Sequence, residues 1–167
     1  MTAATQLGLR LEELRIRDAE AADIPALVQL INAAFVVEQI AIEGERVDAD
    51  SVRRYMDRGK FLLLEDASLL LGCVYLELRG EQGYVGLLSV DPSQQGHGLG
   101  RRLMAATEQY FGDRGCGAVA LRIISARPEL LRFYAKLGYR ETGISPMPES
   151  TPLKMACHYI HLSKALR

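Results

Sequence analysis

The stretch Val90–Leu103, with the sequence VDPSQQGHGLGRRL, joins an apolar strand-like run to an amphipathic helical run. It contains glycines at alternate positions, which are Gly96, Gly98 and Gly100. Because glycine lacks a Cβ atom, such a segment can adopt positive φ values and turn consecutive backbone N–H groups inward. A loop of this kind at a helix N-terminus binds anions, since the helix adds about half a positive charge there. Arg101 and Arg102 add full charges, so the stretch predicts a phosphate or diphosphate site.

Two common phosphate-binding fingerprints do not fit this loop. A dinucleotide-binding fingerprint needs a third glycine where Leu103 stands, and a P-loop needs a lysine after its last glycine. On the loop residues alone, a flexible strand-to-helix turn with incidental glycines is therefore an open alternative to an anion site.

The composition of the chain limits the classes of function. Its 167 residues suit one domain with a sizeable core, and 49% of them are hydrophobic and 25% charged. The formal net charge of −1 gives no basic field of the kind that attracts nucleic acid, so no nucleic-acid partner is expected. The sequence has no signal-peptide pattern and no apolar run of about 18 residues, which predicts a cytoplasmic protein without a membrane partner.

The cysteines and histidines do not form a metal-binding pattern. Cys73, Cys116 and Cys157 are widely spaced without a CxxC motif, which favours reduced thiols over a zinc site or a disulfide framework. His158 and His161 are three residues apart, so on a strand they face opposite sides. We therefore expect no metal.

The apolar patterns predict an α/β fold with six to seven strands and about four helices, in a single domain over residues 1–167. Residues 1–11 read as a loose lead-in, and no repeat or linker divides the chain. The predicted strands are 14–17, 61–64, 69–78, 84–90, 118–124, 139–144 and 158–162, and the predicted helices begin near residues 23, 50, 99 and 128.

Two signatures resemble those of the GNAT superfamily of acyl-CoA-dependent N-acyltransferases. The first is Gln95-x-x-Gly98-x-Gly100, which is similar to the Q/R-x-x-G-x-G/A signature of that family. The second is Leu131–Tyr139, LRFYAKLGY, which resembles the family's short helix with a tyrosine followed by Leu-Gly-Phe/Tyr. The order and separation of the two signatures also agree, and the resemblance covers about residues 14–165.

The resemblance implies that the strands form one mixed α/β sheet, with a site for acetyl-CoA as co-substrate. In this family two neighbouring parallel strands, here 84–90 and 118–124, splay apart where the coenzyme binds, and the pantetheine arm pairs with the backbone of the first. The diphosphate lies on the amides of the loop. The implied coenzyme-binding residues are Leu88, Ser89, Val90, Gln95, Gly96, His97, Gly98, Leu99, Gly100 and Arg101.

The implied reaction is direct transfer of an acetyl group from acetyl-CoA to a primary amine of a small molecule or peptide, by a monomer or homodimer. Tyr134 matches the position of the family's general acid, and a phenol is protonated at neutral pH. Tyr134 also lies on an apolar helical stripe with Leu130 and Leu137, so a packing role is the alternative.

The positions where members of this family have a general base hold other residue types in this chain. Several family members have Glu or His on the strand that leads into the loop, where this chain has Tyr84 and Gly86, which we expect to share a face with Leu88. Others have Glu before the short helix, where Arg122 stands, and many have Asn where this chain has Arg127.

The candidate base from the residues themselves is Glu77, on the strand next to Tyr84. The alternative for Glu77 is a solvated carboxylate or one paired with Arg79. Glu38 and Glu43 are candidates for binding the amine, because the family builds its acceptor site partly from that region.

Two other functions are open at this point. One is a GNAT-shaped acyl-CoA-binding module that regulates a protein partner without turnover, which the missing carboxylate on the loop-leading strand favours. The other is a nucleotide-phosphate binder unrelated to coenzyme A.

Overall fold

The computed structural model describes residues 13–166, so the lead-in predicted at residues 1–11 lies outside the described residues. The strands are β1 Leu14–Asp18, β2 Lys60–Asp66, β3 Leu69–Arg79, β4 Gln82–Val90, β5 Ala118–Ile124, β6 Arg140–Pro146 and β7 His158–Ala165. The helices are α1 Ile24–Ala34, α2 Ala49–Arg58, α3 Leu99–Asp113 and α4 Pro128–Lys136, and a 3₁₀ segment covers Val36–Ile40. No helix within residues 13–166 is long and apolar enough to cross a membrane.

The strands form one seven-stranded mixed sheet in the order β1-β2-β3-β4-β5-β7-β6. The β4–β5 pair is parallel and every other neighbouring pair is antiparallel. The predicted α/β class, the mixed sheet and the helix number are confirmed.

Alternation along β3 divides the core between the two faces of the sheet. Cys73 and Tyr75 belong to the cluster under α1 and α2, whereas Val74 and Leu76 belong to the cluster under α3 and α4. The α3 helix lies directly on β4, since a Cβ atom at Gly83 would fall 2.3 Å from the Phe111 ring. Both faces of the central strands are therefore covered.

The parallel strands β4 and β5 separate before they end. Their last paired residues are Val85 and Leu121, although β4 continues to Val90 and β5 to Ile124. The free edge of β4 therefore faces a gap, because its other edge stays paired with β3 as far as Val90.

An extra residue in β4 forms a β-bulge at the start of this gap. The register moves from Tyr75 opposite Gly86 to Cys73 opposite Ser89, and Leu87 has a φ of 52°. The Ser89 hydroxyl donates a 2.9 Å hydrogen bond to the carbonyl oxygen of Leu87, which holds the bulge in place. An L-residue reaches this left-handed region only at a cost of about 1–2 kcal/mol, so the fold must stabilise it.

The bulge corrects one expectation. Gly86 lies beside the rings of Tyr75 and Tyr84, as predicted for that face. Leu88 packs instead against the core under α3 and α4, because the extra residue shifts the alternation by one position. The expectation that Leu88 shares a face with Tyr84 and Gly86 is wrong.

Candidate active site

The gap between β4 and β5 opens into a cleft of about 920 Å³. Its lining runs from the glycine loop along the free edge of β4 to the 3₁₀ segment Val36–Ile40 and the loop at residues 147–152. The walls near the middle come from β5 and α4, which contribute Ile123 and Phe133.

The glycine loop lies at one end of the cleft and provides backbone N–H groups that have no intrahelical acceptor. Gly98 is the N-cap of α3 with a φ of 78° and makes no side-chain capping hydrogen bond, and Gly96 has a φ of 86°. The amide of Arg102 bonds to the carbonyl of Gly98, so the N–H groups at the three preceding helical positions have no intrahelical acceptor. Because space is open where a Cβ atom would stand at Gly96 and Gly98, a diphosphate can reach these amides.

Most of the predicted coenzyme-binding residues line this cleft. They are Leu88, Val90, Gln95, Gly96, Gly98, Leu99, Gly100 and Arg101. Ser89 and His97 are not among the lining residues. The Ser89 side chain is buried, and its hydroxyl donates a hydrogen bond to the carbonyl oxygen of Leu87. Coenzyme contacts at all ten positions stay a prediction.

Tyr134 is consistent with both roles considered in the sequence analysis, a general acid and a packing residue. Its ring packs between Phe133 and Tyr139, with centroids 4.9 Å and 5.6 Å away, and its side chain also lines the cleft. The hydroxyl has no hydrogen-bond partner within residues 13–166. Burial raises the pKa of Tyr134 above its ordinary value although the charge of Arg127 opposes this, so the phenol is a neutral donor.

Glu38 is a buried carboxylate at the far end of the cleft. It is 8% exposed, and Nη1 of Arg127 donates to its Oε2 at 3.2 Å. Arg127 also donates to Glu129 at 3.0 Å. Burial raises the pKa of Glu38, and the hydrogen bond and charge of Arg127 oppose that rise. The charge of Arg127 opposes the rise in the pKa of both Glu38 and Tyr134, and all three residues line the cleft.

Glu77 lies outside the cleft lining. Its carboxylate accepts a 2.7 Å hydrogen bond from the Tyr75 hydroxyl and a 3.0 Å bond from Nε of Arg79. Burial raises the pKa of Glu77, but these two hydrogen bonds outweigh it and the pKa is lowered. The arginine-paired alternative describes this arrangement, and a catalytic role for Glu77 stays a prediction that the geometry does not favour.

The acceptor end of the cleft contains residues that the sequence motifs did not indicate. Phe35, Arg46, Tyr55 and Tyr159 line it, together with the predicted amine-binding candidate Glu43. The loop at residues 147–152 is tied across this end, because the amide of Glu43 bonds to the carbonyl of Pro152 and Ile42 forms a β-bridge with Leu153. Phe35, Glu43 and Arg46 lie outside the regular helices and strands and carry no periodic signal, whereas Tyr55 lies on α2 and Tyr159 on β7.

The histidines and cysteines form no ligand cluster. The Ser145 hydroxyl contacts Nε2 of His161 at 2.7 Å, and neither His158 nor His161 lines the cleft. Cys73, Cys116 and Cys157 are free thiols. Within residues 13–166, no group of three or more His, Cys, Asp or Glu side chains could hold a metal ion.

The separated parallel strands and the amide-lined loop form a cleft that can receive an extended anionic ligand at the strand ends. The family described as "Acetyltransferase (GNAT) domain" matches residues 31–149. The chain belongs to this family, and the resemblance seen in the sequence is confirmed.

Two curated proteins illustrate the relationship. The chain is 33% identical to mycothiol acetyltransferase of Amycolatopsis mediterranei over 111 residues, which cover 61% of this chain and 37% of that protein. It is 31% identical to glucosamine 6-phosphate N-acetyltransferase 1 of Oryza sativa subsp. japonica over 143 residues, which cover 80% and 85%. The chain thus spans 37% and 39% of the length of two mycothiol acetyltransferases that it matches.

Solved structures share the fold. The ribosomal-protein-S18-alanine N-acetyltransferase from Escherichia coli has a TM-score of 0.73 at 18% identity, covering 92% of this chain and 94% of that one. The yncA structure from Salmonella typhimurium, described with its cofactor acetyl-CoA, has a TM-score of 0.69 at 23% identity and covers 93% and 95%. At these identities the likeness concerns the fold alone.

Proposed function

We propose that this chain is an acetyl-CoA-dependent N-acetyltransferase that transfers acetyl directly to a primary amine of a small molecule or peptide. The observation that carries the proposal is the free edge of β4, which leads in one direction to unpaired loop amides and in the other to Glu38 and Tyr134. We propose the protein as a single cytoplasmic domain, monomeric or homodimeric.

The donor end suits a coenzyme A thioester. An extended pantetheine arm can hydrogen-bond to the free backbone edge of β4 between Gly86 and Val90, as a further strand would. Its diphosphate is assigned to the amides from Gly96 to Arg101. The relatives named as acetyltransferases support acetyl-CoA as this co-substrate.

The proposed chemistry uses groups that line the cleft. The neutral amine forms a bond to the thioester carbonyl carbon, and the C–S bond breaks as the coenzyme thiolate leaves. The bulge at Leu87 turns backbone toward the gap and can stabilise the oxyanion. Tyr134 supplies the proton that the thiolate takes, and Glu38 accepts the proton that the amine loses.

Free-thiol release tests the proposal. With acetyl-CoA and a library of amines, amino acids, amino sugars and peptide N-termini, we expect steady release of coenzyme A that depends on the amine. Tight acetyl-CoA binding without turnover, together with a co-purifying protein, contradicts the enzyme. It supports the regulatory module, which the absence of a carboxylate from β4 favours.

The pairing of Glu38 with Arg127 predicts a pH effect. A deprotonated Glu38 is needed, so kcat/KM falls as the pH drops through the pKa of Glu38, which burial raises and Arg127 keeps from rising further. We expect Arg127→Gln to move the acid limb of the profile to higher pH. Arg132→Gln, an exposed change on α4, is the matched control and leaves the limb in place. An unchanged limb in Arg127→Gln contradicts the role of Glu38, because protonation of the amine substrate itself is the same in both enzymes.

A further inference from the structure

Arg122 lies at the point where β4 and β5 separate. It is the first residue of β5 after the last β4–β5 pair, Val85 and Leu121, and it lines the cleft on the side of Tyr84. The next residue of β4 after Val85 is Gly86, which also lines the cleft.

The guanidinium of Arg122 is held in place without an anion. It lies 4.0 Å from the centroid of the Tyr159 ring. Within residues 13–166 it makes no hydrogen bond or ion pair. Arg79 pairs with Glu77 and Arg127 pairs with Glu38. Arg46, which also lines the cleft, lies over the Phe35 ring.

An arginine stacked on an aromatic ring presents its planar N–H edge to ligands. That edge matches a carboxylate or a phosphate, which it binds through two parallel charge-assisted hydrogen bonds. The stacking leaves these donors free and reduces the entropy lost when an anion binds. Arg122 therefore has the chemistry of an anion-recognition group at the acceptor end.

The acceptor end holds opposite charges on two walls. Glu38 lies on the 3₁₀ segment and suits an amine, whereas Arg122 lies on the sheet and suits an anion. On the basis of the proposed function, we infer that the acceptor is a small molecule that carries both the reacting amine and a carboxylate or phosphate group, with Arg122 as the residue that binds the anionic group.

Matched acceptor pairs test this inference. Glucosamine 6-phosphate against glucosamine gives the phosphate arm, and each amino acid against its amide gives the carboxylate arm. In one arm we expect the anionic member to have a kcat/KM about tenfold or more above its neutral partner, which is the scale of a hydrogen bond to a charged group. Arg122→Gln removes that advantage by raising the KM of the anionic member.

Control variants separate this effect from surface charge. Arg140→Gln, an exposed change on β6 outside the cleft lining, retains the advantage of the anionic member. Equal rates for both members of every pair overturn the inference, as does an advantage that survives Arg122→Gln. An advantage lost only in Arg46→Gln, at the other cationic lining residue, overturns the assignment to Arg122.

Binding measurements distinguish failure of the inference from failure of the proposed function. The same pairs are titrated by calorimetry into protein saturated with coenzyme A. Binding of an anionic member that depends on Arg122, without turnover, supports the inference and contradicts the transferase proposal. Equal turnover of the neutral and anionic members contradicts the inference and supports the transferase proposal.

Discussion

Gly98→Val is expected to weaken the affinity for acetyl-CoA by about tenfold or more. Hydrogen bonds to charged groups contribute about 1.5–3 kcal/mol each, so losing one or two loop amides to the diphosphate corresponds to at least this factor. Gly98 has a φ of 78°, where valine is strained. The loop must either move its N–H groups or cover them with the branched side chain. Calorimetric titration of acetyl-CoA measures the change directly.

Gly115→Val is a closely matched control for this variant. Gly115 also has a φ of 78°, has no heavy atom within 4 Å of an added Cβ, and lies outside the cleft lining. Its substitution carries the same backbone strain, about 1–2 kcal/mol of stability, without touching the loop. We expect equal losses in thermal stability but a loss of acetyl-CoA affinity in Gly98→Val only. Equal affinities in the two variants contradict the anion-binding role of the loop.

The donor half of the site was predictable because its signals are local. The glycine spacing in Gly96, Gly98 and Gly100 fixes the conformations that expose the amides, and a strand-to-helix junction fixes the direction of α3. Neither property depends on the rest of the fold. The strand and helix pattern likewise followed from apolar periods that each segment carries by itself.

The bulge at Leu87 was not predictable from the sequence pattern. Period-two reasoning assumes unbroken alternation, and the positive φ falls on a leucine rather than on a glycine that would have marked it. The bulge depends on the Ser89 hydroxyl bonding back to the Leu87 carbonyl and on the register of β3. The extra residue moves Leu88 to the other face of the sheet, so Leu88 does not share a face with Tyr84 as the sequence pattern predicted.

The acceptor half depends on contacts between distant segments. Glu38 and Arg127 are 89 residues apart in the sequence, and their pairing appears only when the 3₁₀ segment and α4 meet across the cleft. In the sequence, Glu77 was the candidate base and Glu38 a candidate for binding the amine. The fold distinguishes the two. Glu77 lies outside the cleft and accepts hydrogen bonds from Tyr75 and Arg79, whereas Glu38 lines the cleft.

Tyr134→Phe is expected to reduce kcat by about a hundredfold with little change in acetyl-CoA affinity. Proton transfer by a positioned group contributes about 10²–10⁴-fold, and the thiolate must then leave without a proton donor. The ring of Tyr134 keeps its contacts with Phe133 and Tyr139 in the variant, so packing is retained. Single-turnover acetyl transfer at saturating acetyl-CoA measures the chemical step, and calorimetry measures binding.

Tyr139→Phe is the control that distinguishes the loss of any buried tyrosine hydroxyl from the loss of the Tyr134 hydroxyl. Tyr139 is also a buried tyrosine, its ring lies against that of Tyr134, and it is absent from the cleft lining. Its hydroxyl donates to Glu108 at 3.1 Å, so removing it affects stability rather than the reacting atoms. We expect turnover close to the unmodified enzyme in Tyr139→Phe. If both variants turn over at the same rate, Tyr134 contributes packing alone, and the proton for the thiolate comes from solvent.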